Sequence, residues 1–263
     1  MQRLDVELAA RKIARSREKA KEYIKAGHVY VNGVMATKPS LEVSESDTIT
    51  YCGEAEKYVG RGGLKLDGAI ERFNIDLGGL VCADLGASTG GFTDCMLAHG
   101  AKLVYAIDVG HDQLDRKLVD DPRVVNIEGV NVKDVTRDTV DNSTIDFVCA
   151  DLSFISVRYA VYAAQRLLDN GAKAVLLIKP QFEAGKENIS KGGIVKNKKV
   201  HIDVLQGVFS MVMQSGFSIL GLTPSPIKGG DGNVEYLIYV EKSDAPASLP
   251  IDFKKTVEEG FDG

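Results

Sequence analysis

The 263-residue chain is 44% hydrophobic and 26% charged, ordinary values for a globular protein that exclude a mainly disordered one, and its length suits one or two domains. No apolar run approaches the ~20 residues of a membrane helix, and the opening MQRLDVELAARK lacks the apolar core of a signal peptide, so the sequence predicts a cytoplasmic chain without membrane contact. The net charge of −5 divides unevenly, with nine Lys/Arg against four Asp/Glu in residues 1–40 and an acidic remainder. A basic head points to an anionic partner, nucleic acid first, or else to a small helix that solvates its own face.

Residues 5–12 and 17–26 read as short helices. Ser16 is a plausible N-cap for the second and Gly27 its stop. Ala20, Tyr23 and Ile24 form an apolar stripe, while Arg17, Lys21 and Lys25 share another face, four residues apart. Strands at 29–31 and 34–36 flank Asn32-Gly33, a strong hairpin pair, and 47–51 supplies a further strand. The expected unit is a small α+β domain over 1–56. The string SREKAKEYIKAGHVYVNG (16–33) resembles the αL RNA-binding motif of a small-subunit ribosomal protein and of pseudouridine synthases. That resemblance implies docking on structured RNA, with Arg3, Arg17, Lys21, Lys25 and His28 near phosphates.

KYVGRGG (57–63) holds three glycines between basic residues and reads as a linker. A helix is expected over 64–73. Strands follow at 81–85, 103–108, 124–127, 147–151, 174–178, 218–222 and 235–240, with helices such as 157–168 and 199–214 between them. Alternation of this kind predicts a parallel sheet with helices on both faces. The last two strands are joined by a Pro/Gly-rich loop without a helix, so they should pair antiparallel at the sheet edge. The expected fold is α/β: a seven-stranded, mostly parallel, Rossmann-like methyltransferase sheet over 64–245, then a C-terminal tail over 246–263. Cys52, Cys82, Cys95 and Cys149 stand far apart with no C-x-x-C, so reduced and mostly buried thiols are expected, with no disulfide and no metal site.

DLGASTGGFT (84–93) follows the first strand and opens a helix. Its glycines let backbone approach a ligand closely at the carboxyl edge of the sheet, where α/β folds bind. It is not the dinucleotide pattern, because Gly86 is followed by Ala87, Ser88 and Thr89 before Gly90-Gly91. Asp84 precedes the loop, and Asp108 ends the next strand, placed to accept both hydroxyls of a ribose. The combination resembles the S-adenosylmethionine site of methyltransferases. The expected cofactor residues are Asp84, Gly86, Ala87, Ser88, Gly90, Gly91, Phe92 and Asp108, with Asn131 implied at the adenine; read alone, Asn131 is equally a turn residue.

DLSF (151–154) has no prolines, unlike the corresponding segment of amino-methyltransferases, and Cys149 lies two residues too early to be a nucleophile for carbon methylation. Lys65, Asp151, Lys179 and Glu235 together resemble the Lys-Asp-Lys-Glu tetrad of FtsJ-type ribose 2′-O-methyltransferases. A ribose hydroxyl is a poor nucleophile near neutral pH, and a neutral lysine amine can take its proton. Lys179, at a strand end before Pro180, is the expected base. RGGLKL (61–66), 84–93, DLSFIS (151–156), KPQFE (179–183) and GNVEY (232–236) stand in an order that resembles the TlyA family as a whole. The resemblance implies S-adenosylmethionine-dependent 2′-O-methylation of cytidine in small- or large-subunit ribosomal RNA, with ribosomal RNA or subunits as partners; residues alone leave the oligomeric state open. Members also carry the label haemolysin. The alternative is therefore a haemolysin-type or RNA-binding interaction protein whose methyltransferase fold is a relic. The intact loop, Asp108 and the full tetrad favour the enzyme.

Overall fold

The computed structural model describes residues 1–53 and 56–263. The chain divides into two compact units, Met1–Glu56 and Lys57–Gly263; residues 54 and 55, which the sequence reading assigns to the head, lie outside the described residues.

The first unit runs β1 (Gln2–Arg3), α1 (Leu4–Ala10), α2 (Arg17–Lys25), β2 (Val29–Val31), β3 (Val34–Met35), β4 (Glu42–Val43) and β5 (Ile49–Tyr51). Ser16 Oγ accepts from Lys19 N at 3.1 Å and caps α2. Asn32 (φ +49°) and Gly33 (φ +80°) are both left-handed, which makes the two-residue turn that sets Val31 opposite Val34. β5 pairs with the other edge of β2. Leu4, Leu8, Ala20, Ile24, Val29 and Val43 close a small core.

The second unit runs α3 (Gly62–Phe73), β6 (Val81–Leu85), α4 (Gly91–Ala98), β7 (Leu103–Ile107), α5 (Arg116–Val119), β8 (Val124–Ile127), β9 (Ile145–Ala150), α6 (Arg158–Leu167), β10 (Leu168–Ile178), α7 (Pro180–Glu183), α8 (Lys198–Gln214), β11 (Phe217–Pro224), β12 (Tyr236–Lys242) and α9 (Phe253–Asp262). Its seven strands lie in the order β11-β12-β10-β9-β6-β7-β8. Only β12 is reversed, antiparallel to both β10 and β11. Each central strand buries both faces: on β9, Phe147 and Cys149 enter one core while Val148 and Ala150 enter the other. This is why these strands read as unbroken apolar runs. β7 and β9 flank β6, so the chain leaves β6 toward one side and returns on the other; the crevice at the carboxyl ends of these strands is the switch point where such folds bind ligands.

Two expectations are corrected. Residues 57–63 are not a free linker. Tyr58 and Val59 are buried, and Val59 N donates to Asp94 Oδ2 at 2.8 Å. Lys57 Nζ (2.6 Å) and the Tyr58 hydroxyl (2.8 Å) both donate to Asp67, which also stands 2.9 Å from His99 Nε2. Asp67, Cys95 and His99 bring potential ligand atoms together, but Lys57 already neutralises the carboxylate, so the cluster acts as an internal brace. The glycines serve close approach: a Cβ on Gly63 would sit 2.5 Å from the Tyr58 ring, and one on Gly91 2.9 Å from Gly63 N. α3 accordingly opens at Gly62, ahead of the expected start.

The second correction is the tail over 246–263. Ile219 bridges to Ser248 at the β11 edge. α9 is capped by Asp252, whose side chain accepts from Lys255 N, and it buries Thr256 and Val257. Phe253 packs edge-on to Phe209, and Phe261 edge-on to His201. Of the four cysteines, Cys82, Cys95 and Cys149 are buried and Cys52 is exposed.

Candidate active site

A cavity of about 390 Å³ opens at the carboxyl ends of β6, β7 and β9. Leu85 and Gly86 line it from β6, Ile107 and Asp108 from β7, Val130, Asn131 and Val132 from the segment after β8, and residues 151–155 from β9. Gly86 is left-handed (φ +84°), and a Cβ there would lie 2.8 Å from Asp151 O, so only glycine lets the loop lie this close to the end of β9. Gly86 N and Ala87 N both donate to Ile107 O, which ties the loop to β7.

The cofactor candidates sort into three places. Gly86, Ser88, Asp108 and Asn131 line the main cavity. Ala87, Gly91 and Phe92 line a smaller cavity of about 170 Å³ that shares Gly86, Ser88 and Asp151 with it. Asp84 and Gly90 line neither. Gly90 is left-handed and its missing Cβ makes room for Leu118 and Leu114. Asp84 is fully buried, accepting from Thr93 Oγ1 at 2.7 Å and from Cys149 Sγ at 3.6 Å. Burial pushes its carboxyl up to about 7. Among the described residues Asp108 is engaged by backbone donors, Oδ2 by Ser88 N (2.8 Å) and Oδ1 by Gly110 N (2.7 Å), and it lines the cavity. Asn131 lines the cavity, and its Oδ1 accepts from Lys133 N and caps a short 3₁₀ turn. Gln113 is a wall residue that the sequence reading missed; its amide meets Ser88 Oγ at 3.3 Å.

The four tetrad candidates meet beside this cavity, whose wall includes Asp151. Lys65 comes from α3, Asp151 from the end of β9, Lys179 from the end of β10 where Pro180 stops the strand, and Glu235 from the residue before β12. Lys65 Nζ lies 2.7 Å from Glu235 Oε2 and 3.4 Å from Asp151 Oδ2. Lys179 Nζ lies 2.5 Å from Asp151 Oδ1 and donates to Ser153 Oγ at 2.8 Å. The four therefore form one chain, Glu235–Lys65–Asp151–Lys179. Lys65, Lys179 and Glu235 are buried, and groups of this kind are tolerated in a protein interior only when paired. Gln181 Nε2 reaches Glu235 at 3.4 Å. Cys149 is excluded as a nucleophile: it is buried in β9, and desolvation holds its thiol well above the usual range.

The residues around the cavity fit a nucleoside-bearing methyl donor: an acid aimed at the opening, a glycine loop that admits backbone contact, and apolar walls from Val109, Val130, Val132 and Leu152. Residues 58–242 match the FtsJ-like methyltransferase family, and residues 2–49 match the S4 domain. A relative named 16S/23S rRNA (cytidine-2′-O)-methyltransferase TlyA, from Mycobacterium tuberculosis, is 41% identical over 239 residues, 90% of this chain and 89% of that protein. The chain belongs to the TlyA family. Within that family it is also similar to Hemolysin A of Brachyspira hyodysenteriae, 43% identical over 90% of this chain and 98% of that protein. The solved structure of a haemolysin-named protein from Streptococcus thermophilus superposes with a TM-score of 0.81 at 40% identity, covering 99% of this chain and 96% of that one. As a TlyA-family FtsJ-like methyltransferase, the chain takes S-adenosylmethionine as its cofactor.

The S4 unit holds the five RNA candidates. Arg3 Nε and Arg17 Nη2 both reach the buried Asp5, at 2.9 and 3.3 Å. The guanidiniums hold the Asp5 carboxyl down at about 2, Arg3 first. Lys21 pairs with Glu18 at 2.9 Å. Lys25 and His28 are exposed, and His28 lies edge-on to Tyr51. Asp5, which gathers the two arginines, was missed because a lone acid in a basic head carries no pattern.

Proposed function

We propose that this protein transfers a methyl group from S-adenosylmethionine to the 2′-hydroxyl of cytidine in ribosomal RNA, acting in the cytoplasm on RNA docked through the S4 unit. The single observation that carries the reading is the buried chain Glu235–Lys65–Asp151–Lys179 beside the cavity. Lys179 is the base: its amine takes the hydroxyl proton while the oxygen attacks. When bound, S-adenosylmethionine would supply an activated methyl group on a sulfonium, with a neutral thioether as the leaving group. Asp151 bridges the two lysines and fixes Lys179, and Glu235 anchors Lys65. Because the donor is already activated, most of the acceleration is positioning. Asp108 would hold the donor's ribose, and Arg3, Arg17, Lys21, Lys25 and His28 would meet phosphates, reading RNA shape more than sequence. Among the described residues no helix is long and apolar enough to cross a membrane, so the haemolysin name of some relatives has no membrane-spanning helix behind it here.

Lys179→Ala should abolish methyl transfer while calorimetric affinity for S-adenosylmethionine stays within a few-fold. Retention of more than about a tenth of the wild-type rate would overturn the base assignment, since general-base catalysis contributes ~10²–10⁴-fold. Primer extension at low dNTP on ribosomal RNA from cells with and without the gene identifies the nucleotide. No gene-dependent stop at any cytidine would overturn the substrate.

A further inference from the structure

Lys179 has a second partner that the tetrad does not include. Its Nζ stands 2.8 Å from Ser153 Oγ and 2.5 Å from Asp151 Oδ1. A neutral lysine amine carries two N–H bonds and one lone pair. Ser153 Oγ takes one of those hydrogens in a hydrogen bond, while Asp151 Oδ1 touches the nitrogen as an ion-pair partner without hydrogen-bond geometry. Lys65 differs: both of its partners are carboxylates, Glu235 and Asp151.

The segment that carries Ser153 is held in a costly shape. Phe154 follows it at φ +63°, a left-handed conformation unusual for a bulky residue, and its side chain is 91% exposed. No burial of that ring explains the strain. Glu183, four residues beyond Lys179, holds the shape from the other side: its carboxylate accepts from Ser156 Oγ (2.8 Å) and from Val157 N (2.7 Å). Phe182 packs against the Phe154 ring with centroids 5.3 Å apart. α7 thus ties the residues that follow β9 to the end of β10. The consequence at the site is a hydroxyl fixed over the Lys179 nitrogen.

We propose that Ser153 is a positioning residue for methyl transfer, which accepts an N–H bond of neutral Lys179 and so, beside the Asp151 contact, holds the amine with its lone pair free for the substrate hydroxyl. This rests on Lys179 being the base. When the hydroxyl proton moves onto that lone pair, the nitrogen becomes an ammonium with three N–H bonds, Ser153 keeps its hydrogen bond, and the Asp151 carboxylate faces the new charge.

The test uses the full chain with ribosomal RNA and compares Ser153→Ala, Ser153→Thr and Lys179→Ala. Ser153 is exposed on the wall of the cavity, so neither substitution disturbs the core and folding is not at stake. Ser153→Ala should lower kcat about tenfold, the effect of one lost hydrogen bond, with KM for RNA unchanged within twofold and, because Ser153 lines the cavity, any loss of S-adenosylmethionine affinity smaller than the fall in kcat measured at saturating donor. Ser153→Thr should return kcat to within about threefold of wild type by restoring that hydrogen bond. A kcat for Ser153→Ala within twofold of wild type overturns the proposal, as does a loss confined to KM or cofactor affinity, or a failure of threonine to recover the rate. Lys179→Ala separates the two readings. If it stays active, the base assignment fails and Ser153 has nothing to position. If it is inactive while Ser153→Ala is fully active, only the role of Ser153 fails.

Discussion

Asp84 and Asp108 are acids at the ends of neighbouring strands, yet they live in opposite surroundings. Asp108 faces the cavity with two backbone donors. Asp84 is sealed beneath the loop, with Thr93 and Cys149 as donors and its proton held to about pH 7. Its unfolded value is near 3.8, so between those two values the folded state binds more protons than the unfolded one, and wild-type stability falls as pH rises through that window. Asp84→Asn keeps the shape and an oxygen for Thr93 but cannot ionise. Relative to wild type it should therefore gain stability between pH 5 and pH 8, by about 2–3 kcal/mol. Urea unfolding at the two pH values measures this; a stability difference that does not change with pH means the buried carboxyl is already ionised at pH 5. Lys65, Asp151, Lys179 and Glu235 were legible as a set through the resemblance to the FtsJ-type tetrad, and the structure brings them into one chain of contacts. Ser153, Gln113 and Asp5 were not, because a single hydroxyl, amide or acid has no period, and its meaning depends on what the fold brings to it from 26, 25 or 12 residues away.

At the scale of elements, the strands of the body were read well because burial on both faces leaves an unbroken apolar run. The failures lie where composition imitates flexibility. In KYVGRGG the glycines suggested freedom, but they allow the contact of α3 with α4 that Tyr58, Asp67 and Asp94 then fasten. The C-terminal residues read as an acidic tail because their apolar positions, Phe253, Val257 and Phe261, are four apart and few. Spaced so, they fall on one helical face, and Val257 is 1% exposed. Val257→Ala should cost about 1–3 kcal/mol of stability as a buried truncation, with S-adenosylmethionine affinity unchanged. Thermal or urea unfolding indistinguishable from wild type would mean that α9 is not part of the cooperative unit.

On the scale of the whole molecule, charge divides the labour. The head is basic and the body acidic, so the body by itself repels RNA on average. The body has its own two cores, the cavity and all four tetrad residues. Deleting residues 1–56 should therefore leave a folded protein that binds S-adenosylmethionine normally but methylates ribosomal RNA roughly tenfold or more slowly at physiological salt, because the sequence-independent phosphate contacts are lost. Among the head's cations the structure ranks the contributions. Arg17 is shared with Asp5 and Lys21 with Glu18, whereas Lys25 has no ion-pair partner among the described residues, so a phosphate meets it without displacing a carboxylate. Lys25→Ala alone should flatten the salt dependence of RNA binding by ~0.7–0.9 log units, and Arg17→Ala or Lys21→Ala by less. The body has a rival surface: Lys186, Lys191, Lys196, Lys198 and Lys199 are exposed around a loop anchored by buried Val195, whose N–H donates to Asn233. If the truncated body methylates ribosomal RNA at the full rate, recognition lies in those lysines, and the head's charge serves only its own solvation.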